Sequence, residues 1–170
     1  MKALITSDTH SQDAGLYELK EMYQKEVDLW LHCGDSELLN NDPALADFHV
    51  VTGNTDWLGK FPSSEKINFA GLTLLLTHGH LFHVRSGVDE LAAWAEKEQA
   101  DIVFYGHTHI AKVDEKAGKY FINPGSLHFP RGTYRQGSYA ILTREANSTQ
   151  IDFYTEAHEK IEAWSQKLAL

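Results

Sequence analysis

Five short polar motifs in this 170-residue chain carry residue types that bind metal ions: Asp8-Thr9-His10, Gly34-Asp35, Gly53-Asn54-Thr55-Asp56, His78-Gly79-His80 and Gly106-His107-Thr108-His109. Imidazole, carboxylate and amide donors with no thiolate suit Mn, Fe, Zn, Co or Ni better than a thiolate-loving or all-oxygen calcium site. Two such ions a few ångströms apart need a bridging carboxylate and can clamp an in-line displacement at phosphorus. Asp8 and His10 stand two residues apart, as do His107 and His109. In extended chain, residues i and i+2 face the same side; on a helix they diverge by roughly 200°. The pairs therefore predict strand ends, and Gly34, Gly53 and Gly106 permit the sharp turns or close backbone approaches such ends need.

The elements that must position these motifs are legible as apolar runs. Residues 2–7 read as a buried strand stopping at Asp8, and 14–26 as a helix with Leu16, Leu19 and Tyr23 on one face. Val27–Leu31 and Phe48–Thr52 read as strands ending in His-Cys-Gly-Asp and Gly-Asn-Thr-Asp. Residues 66–77 read as a hairpin turning near Ala70-Gly71, 87–99 as an amphipathic helix, and Asp101–Tyr105 as a strand ending in Gly-His-Thr-His. Short strands follow near 110–114, 118–122, 137–143 and 149–155, with a helical tail from about 157. Strand–helix–strand order predicts parallel pairing. In open α/β sheets, ligands bind beyond the carboxyl ends of strands, so five such ends presenting ligand types predict one shared site. No repeat or linker interrupts the chain, which reads as a single domain over residues 1–170.

Composition restricts the function classes. Hydrophobic residues make up 42% and charged residues 23%, as in ordinary globular proteins. The formal net charge of −9 argues against binding bulk nucleic acid. It still allows a small phosphorylated ligand, because local metal charge overrides the global field. No apolar run reaches the ~20 residues of a membrane span, so no membrane partner is expected. The lone cysteine, Cys33, excludes an internal disulfide framework and predicts a cytoplasmic location.

The ordered series Asp8-x-His10, Gly34-Asp35, Gly53-Asn54, His78 and Gly106-His107-x-His109 resembles the calcineurin-like metallophosphoesterase superfamily. Asn123-Pro-Gly-Ser126 and Pro130-Arg131-Gly132 extend the likeness to its small single-domain bacterial and archaeal phosphodiesterases. The resemblance implies an α/β fold of two facing mixed β-sheets flanked by helices. It implies two divalent ions, Mn first, with Ni, Co, Zn or Fe as alternatives. Asp8, His10, Asp35 and His109 would hold one ion and Asp35, Asn54, His78 and His107 the other, with Asp35 as the bridge. A hydroxide bridging the ions would attack the phosphorus of a small phosphodiester in line with the leaving oxygen. Two dications less two carboxylates leave about +2, which one hydroxide and one diester monoanion neutralise.

Many superfamily members have histidine directly after the asparagine, as the proton donor to the leaving group; here Thr55 stands there. A positioned general acid contributes ~10²–10⁴ in rate, and His80 is the nearest substitute. The competing reading is a non-catalytic interaction scaffold on the same fold, like the retromer subunit, whose ligand set is incomplete. The seven ligand types present here weigh against it, and Thr55 weighs slightly for it. Other residues point less sharply. His32 and Cys33 suit packing at a strand end, and His49 and His158 suit structural or solvated roles. His83, Arg85 and His128 fit a pocket wall or a surface loop equally, and Arg131 fits a phosphate or an acidic neighbour. Trp57, Leu58 and Phe61 suit a pocket or a homo-oligomer contact.

Overall fold

The computed structural model describes residues 1–170 as two mixed β-sheets with one helix packed outside each. In chain order the elements are β1 (Lys2–Thr6), α1 (Ala14–Tyr23), β2 (Leu29–His32), β3 (Phe48–Val50), β4 (Ser64–Phe69) and β5 (Leu72–Thr77). Then come α2 (Asp89–Glu98), β6 (Ile102–Phe104), β7 (Lys112–Lys116), β8 (Lys119–Asn123), β9 (Ser138–Glu145), β10 (Ser148–Thr155) and β11 (Gln166–Leu168). The six-stranded sheet runs β11-β10-β9-β1-β2-β3 and the five-stranded sheet β4-β5-β6-β8-β7. Neighbours β1, β2 and β3 are parallel, with Ile5 opposite Leu31 and Leu31 opposite His49. So are β5, β6 and β8, with Leu75 opposite Val103 and Val103 opposite Phe121.

The apolar runs are continuous rather than alternating because both faces of these strands are covered. In β1, Ile5 points into the core between the sheets while Leu4 packs outward against Leu16 and Leu19 of α1. In β5, Leu74 and Leu76 face the inter-sheet core while Leu75 packs outward against Leu91 and Ala95 of α2. All of these side chains are buried, each leucine and isoleucine worth about 1.5–3 kcal/mol relative to exposure. The core thus fixes both sheets with their parallel carboxyl ends on one side of the molecule. No helix is long and apolar enough to cross a membrane.

One expected element is absent. The helical tail predicted from about residue 157 is instead a turn followed by β11, which pairs antiparallel with β10. Ile161, Trp164 and Leu168 have helical spacing, but each is claimed by tertiary structure. Ile161 N donates to Phe153 O at 2.7 Å, Trp164 meets Phe153 edge-on, and Leu168 lies opposite Thr149. Pairing the exposed edge of β10 wins over helix propensity, because an edge strand leaves a row of backbone groups unbonded. α1 also ends earlier than predicted, at Tyr23, and β2 begins at Leu29.

Candidate metal centre

The loops after β1, β2, β3, β5 and β6 meet at one point. Cross-links between them fix the meeting: Asp8 N donates to Gly34 O at 3.0 Å, His10 N to Asp35 O at 3.0 Å and Gly106 N to His78 O at 3.1 Å. Across the sheets, His107 N donates to Asp8 Oδ2 at 3.1 Å. Glycine is required where these loops touch. A Cβ on Gly53 would overlap Asp35, including its backbone nitrogen, and a Cβ on Gly106 would overlap the Ser7 hydroxyl.

Two trios of ligand atoms result, Asp8–His10–His109 and Asp8–Asp35–His78, each with its atoms within 4.8 Å of one another. Asn54 Oδ1 lies 3.3 Å from His78 Nε2. The His107 ring centroid is 5.2 Å, and that of His80 5.3 Å, from that of His78. The structure therefore brings together Asp8, His10, Asp35, Asn54, His78, His80, His107 and His109. The carboxylate common to both trios is Asp8, whereas Asp35 belongs to one.

The orientation of the histidines is chemically specific. His78 Nδ1 lies 2.8 Å from Cys33 O and His109 Nδ1 2.7 Å from Phe129 O. His10 Nδ1 lies 2.7 Å from Glu37 Oε1. Carbonyl and carboxylate oxygens only accept, so each Nδ1 carries the proton and, in the neutral ring, each Nε2 presents its lone pair to the centre. This is how metal-ligating histidines are held by their outer partners. There His10 Nε2 and His109 Nε2 face each other at 3.3 Å, and two lone pairs at that distance need a cation between them. Asp8 Oδ1 is buried without a hydrogen-bond partner although His109 Nε2 is 3.2 Å away, because the neutral His109 ring carries its proton on Nδ1 and has none to donate from Nε2. A buried unpaired carboxylate oxygen is costly. The donor set, its aim and that orphaned oxygen all fit divalent cations.

Without metal, protons take the cations' place. Burial opposes charge on His78, yet the Asp35 and Asp8 carboxylates outweigh it and raise its pKa. Burial likewise works against ionised Asp8 and Asp35, but histidine partners and hydrogen bonds hold both below the usual carboxylate range. His107 goes the other way, to about 4, through burial reinforced by the His78 and Arg85 charges. A divalent ion such as Mn²⁺ held by His78 would have to displace its proton, so affinity is expected to fall as pH drops through the raised His78 pKa. Calorimetric titrations in buffers of different ionisation enthalpy check this; proton release that does not grow as the pH is lowered would contradict it.

The i, i+2 pairs reach the site by a different local geometry from the extended one predicted. Asp8, His10, Asp35, His107 and His109 have φ of 54°, 45°, 53°, 68° and 60°. Left-handed backbone is uncommon for non-glycine residues, and its concentration in five of the ligand positions marks strain stored where the loops turn.

Several residues support the ligands in ways that sequence spacing does not specify. Asp56 accepts from Asp35 N (2.8 Å), Glu37 N (2.6 Å), Gly53 N (2.7 Å) and Ser36 Oγ (3.2 Å), lashing the β2 and β3 loops together. Ser126 Oγ donates to Asp8 O at 2.8 Å, and Asn123 Nδ2 to Gly106 O at 2.8 Å, placing the Asn123–Ser126 turn directly behind the ligands. The remaining histidines lie elsewhere: His49 pairs with Glu65, His83 with Glu90, and His158 with Tyr139. His128 is packed beside Gly15.

His32 is buried behind the loop. Its Nδ1 accepts from Gly34 N at 3.1 Å, which fixes the Nε2–H tautomer donating to Thr9 Oγ1 at 3.0 Å. Burial lowers its pKa from 6.5 to about 4. The unfolded chain then binds a proton that the fold refuses, so stability present above pH 6.5 is lost as pH falls toward 4. The loss amounts to up to ~3 kcal/mol. Urea midpoints of chelator-treated protein at pH 7 and 4.5 should fall less steeply in His32→Gln; equal slopes would refute the assignment.

Comparison with known proteins places this arrangement. The model of the calcineurin-like phosphoesterase superfamily domain matches residues 1–147, and the chain belongs to that superfamily. It is 39% identical to the probable metallophosphoesterase YsnB of Bacillus subtilis (strain 168) over the full length of both chains. It is 28% identical to the phosphodiesterase YfcE of Escherichia coli (strain K12), covering 87% of this chain and 90% of that one. Among solved structures, a conserved protein of Streptococcus pneumoniae TIGR4 described as a predicted phosphoesterase superposes with a TM-score of 0.92 at 32% identity, covering 98% of this chain and 95% of the other. The protein is a probable metallophosphoesterase with a buried His/Asp cluster suited to divalent metal.

Proposed function

We propose that the protein is a cytoplasmic phosphodiesterase that holds two divalent cations, Mn²⁺ first among them, and hydrolyses small phosphodiesters. The observation that carries this reading is the pair of ligand trios that share the buried, unpartnered Asp8 Oδ1, with His10 and His109 Nε2 in one and Asp35 and His78 Nε2 in the other. Asp8, His10, Asp35 and His109 would hold one ion and Asp35, Asn54, His78 and His107 the other. Asp35 would be the shared ligand, as the family resemblance implies, and Asp8 belongs to both trios. Bound there, the cations supply Lewis acidity at phosphorus and an activated water for in-line attack.

The chain's own residues do the rest. Ser7 Oγ and His107 N fix Asp8 Oδ2, and Thr55 N donates to Asp35 Oδ1 at 2.8 Å, so both carboxylates enter the reaction pre-oriented. Thr55 thus positions Asp35 and holds no transferable proton at neutral pH. His80 is half-buried beside His78 and His107, and its Nδ1 has no partner within the protein. Burial and the neighbouring His78 charge lower its pKa, so the cationic ring is the minor form at neutral pH; we assign to that form the proton delivered to the leaving oxygen. His80→Ala should lower turnover of an alkyl ester by about 10² while sparing a 4-nitrophenyl ester, whose leaving group needs no proton. Equal losses on both esters would remove His80 from that role.

The reading as a whole is tested with bis(4-nitrophenyl) phosphate and metal-stripped protein. Turnover should be absent without metal and return with Mn²⁺. No turnover with Mn, Ni, Co or Zn, with metal binding verified, would favour the interaction-scaffold alternative.

A further inference from the structure

A cleft of about 480 Å³ opens beside the metal centre, between the Val84–Val88 segment on one side and Thr108, Ile110, Lys112 and Arg131 on the other. Its volume is in the range of small-molecule sites. The wall is continuous with the metal ligands: Thr108 stands between His107 and His109, and Arg131 N donates to His109 O at 3.0 Å. Arg85 is close enough for its charge to act on His107. The charges in the cleft do not cancel. Lys112 is paired with Asp114 at 2.8 Å, but neither the Arg85 nor the Arg131 guanidinium has a carboxylate partner. Two free guanidiniums therefore face one cleft in a chain whose net charge is −9. Thr108 adds a neutral donor. Its Oγ1 accepts from Asn123 Nδ2 at 3.1 Å and Ile110 N at 3.2 Å, which leaves its hydroxyl proton to give away.

Guanidinium forks beside a hydroxyl donor match the oxygens of a phosphate or carboxylate. We propose that this cleft is a specificity subsite in which Arg85, Arg131 and Thr108 bind a second anionic group of the substrate while the metal centre holds the scissile diester. The inference rests on the phosphodiesterase reading and narrows it to diesters that carry an additional phosphate or carboxylate a few bonds from the reacting phosphorus.

The test uses manganese-loaded protein and three probes with one leaving group: ethyl, 2-carboxyethyl and 2-phosphoethyl 4-nitrophenyl phosphate. Wild type should favour a charged probe over the ethyl ester by about tenfold in kcat/KM, the order expected of an exposed charge-assisted contact. Whether the carboxylate or the phosphate probe gains more identifies the group preferred. The preference should fall toward unity in the Arg85→Ala/Arg131→Ala double variant, and in wild type at 1 M salt. Both arginines are exposed, so folding is not at stake. In parallel, calorimetry compares propane-1,3-diphosphonate with propylphosphonate, which reports the same preference without turnover. Equal treatment of all three probes, or a preference that survives the double substitution, overturns the subsite and leaves the phosphodiesterase reading standing. Failure to hydrolyse any probe, with the diphosphonate preference present in wild type and lost in the double variant, does the reverse.

Discussion

Asp8→Asn is expected to lower kcat/KM on bis(4-nitrophenyl) phosphate by about 10³ at saturating Mn²⁺, with the fold intact. Asp8 is fully buried and is the one carboxylate that belongs to both ligand trios. The metals' charge stabilisation of the transition state is worth several kcal/mol, and each ~1.4 kcal/mol is tenfold in rate. The asparagine oxygen can keep the bonds that Oδ2 receives from Ser7 and the His107 amide. Its amide nitrogen then takes the place of Oδ1 and faces His109, where a cation would have to sit. Circular dichroism and urea unfolding in chelator should therefore match wild type to within about 1 kcal/mol, while metal binding and turnover collapse together. Turnover within tenfold of wild type would show that Asp8 is not a ligand.

Asp56→Ala should act through architecture instead. Its carboxylate satisfies three backbone N–H groups, of Asp35, Glu37 and Gly53, and the side chain is 8% exposed. Removing it leaves those donors unpaired at roughly 1–3 kcal/mol each before relaxation. A stability loss of ~3–5 kcal/mol in metal-free protein is expected. Because Asp56 orients the loop bearing Asp35, Mn²⁺ affinity should also weaken by about 10–100-fold, the range for outer partners of a metal site. Urea denaturation and a metal titration measure the two effects. A variant as stable as wild type would mean that water replaces the carboxylate.

These two residues also mark how far the sequence could be read. Asp8 announced itself because Asp-x-His closes an apolar run and recurs in kind at His107-x-His109, a pattern made of residue type and spacing. Asp56 sits in the Gly53–Asp56 motif, yet apart from Gly53 its partners lie 19 to 21 residues away along the chain on a neighbouring loop. No local pattern encodes that. The same holds for Glu37 behind His10 and for the carbonyls of Cys33 and Phe129 behind His78 and His109. Backbone oxygens belong to every residue, so nothing in the sequence singles them out. The strands feeding the site were legible because burial on both faces gives unbroken apolar runs, as in Leu72–Thr77. The C-terminal segment was misread because Ile161, Trp164 and Leu168 satisfy a helical period. Only the free edge of β10, a tertiary fact, makes this segment a turn followed by a strand. The left-handed backbone at the ligands was equally invisible, since Asp8 and His10 have the right spacing for extended chain and reach the same point by a tighter turn.

Two cations bound side by side are what this cluster of ligand atoms is expected to hold. Anomalous scattering from manganese-soaked crystals tests this directly. The predicted result is two peaks about 3.5–4 Å apart, one against His10 and His109 and the other against His78, with a carboxylate oxygen between them. A single peak, or none, at saturating Mn²⁺ would contradict the dinuclear centre and the mechanism built on it.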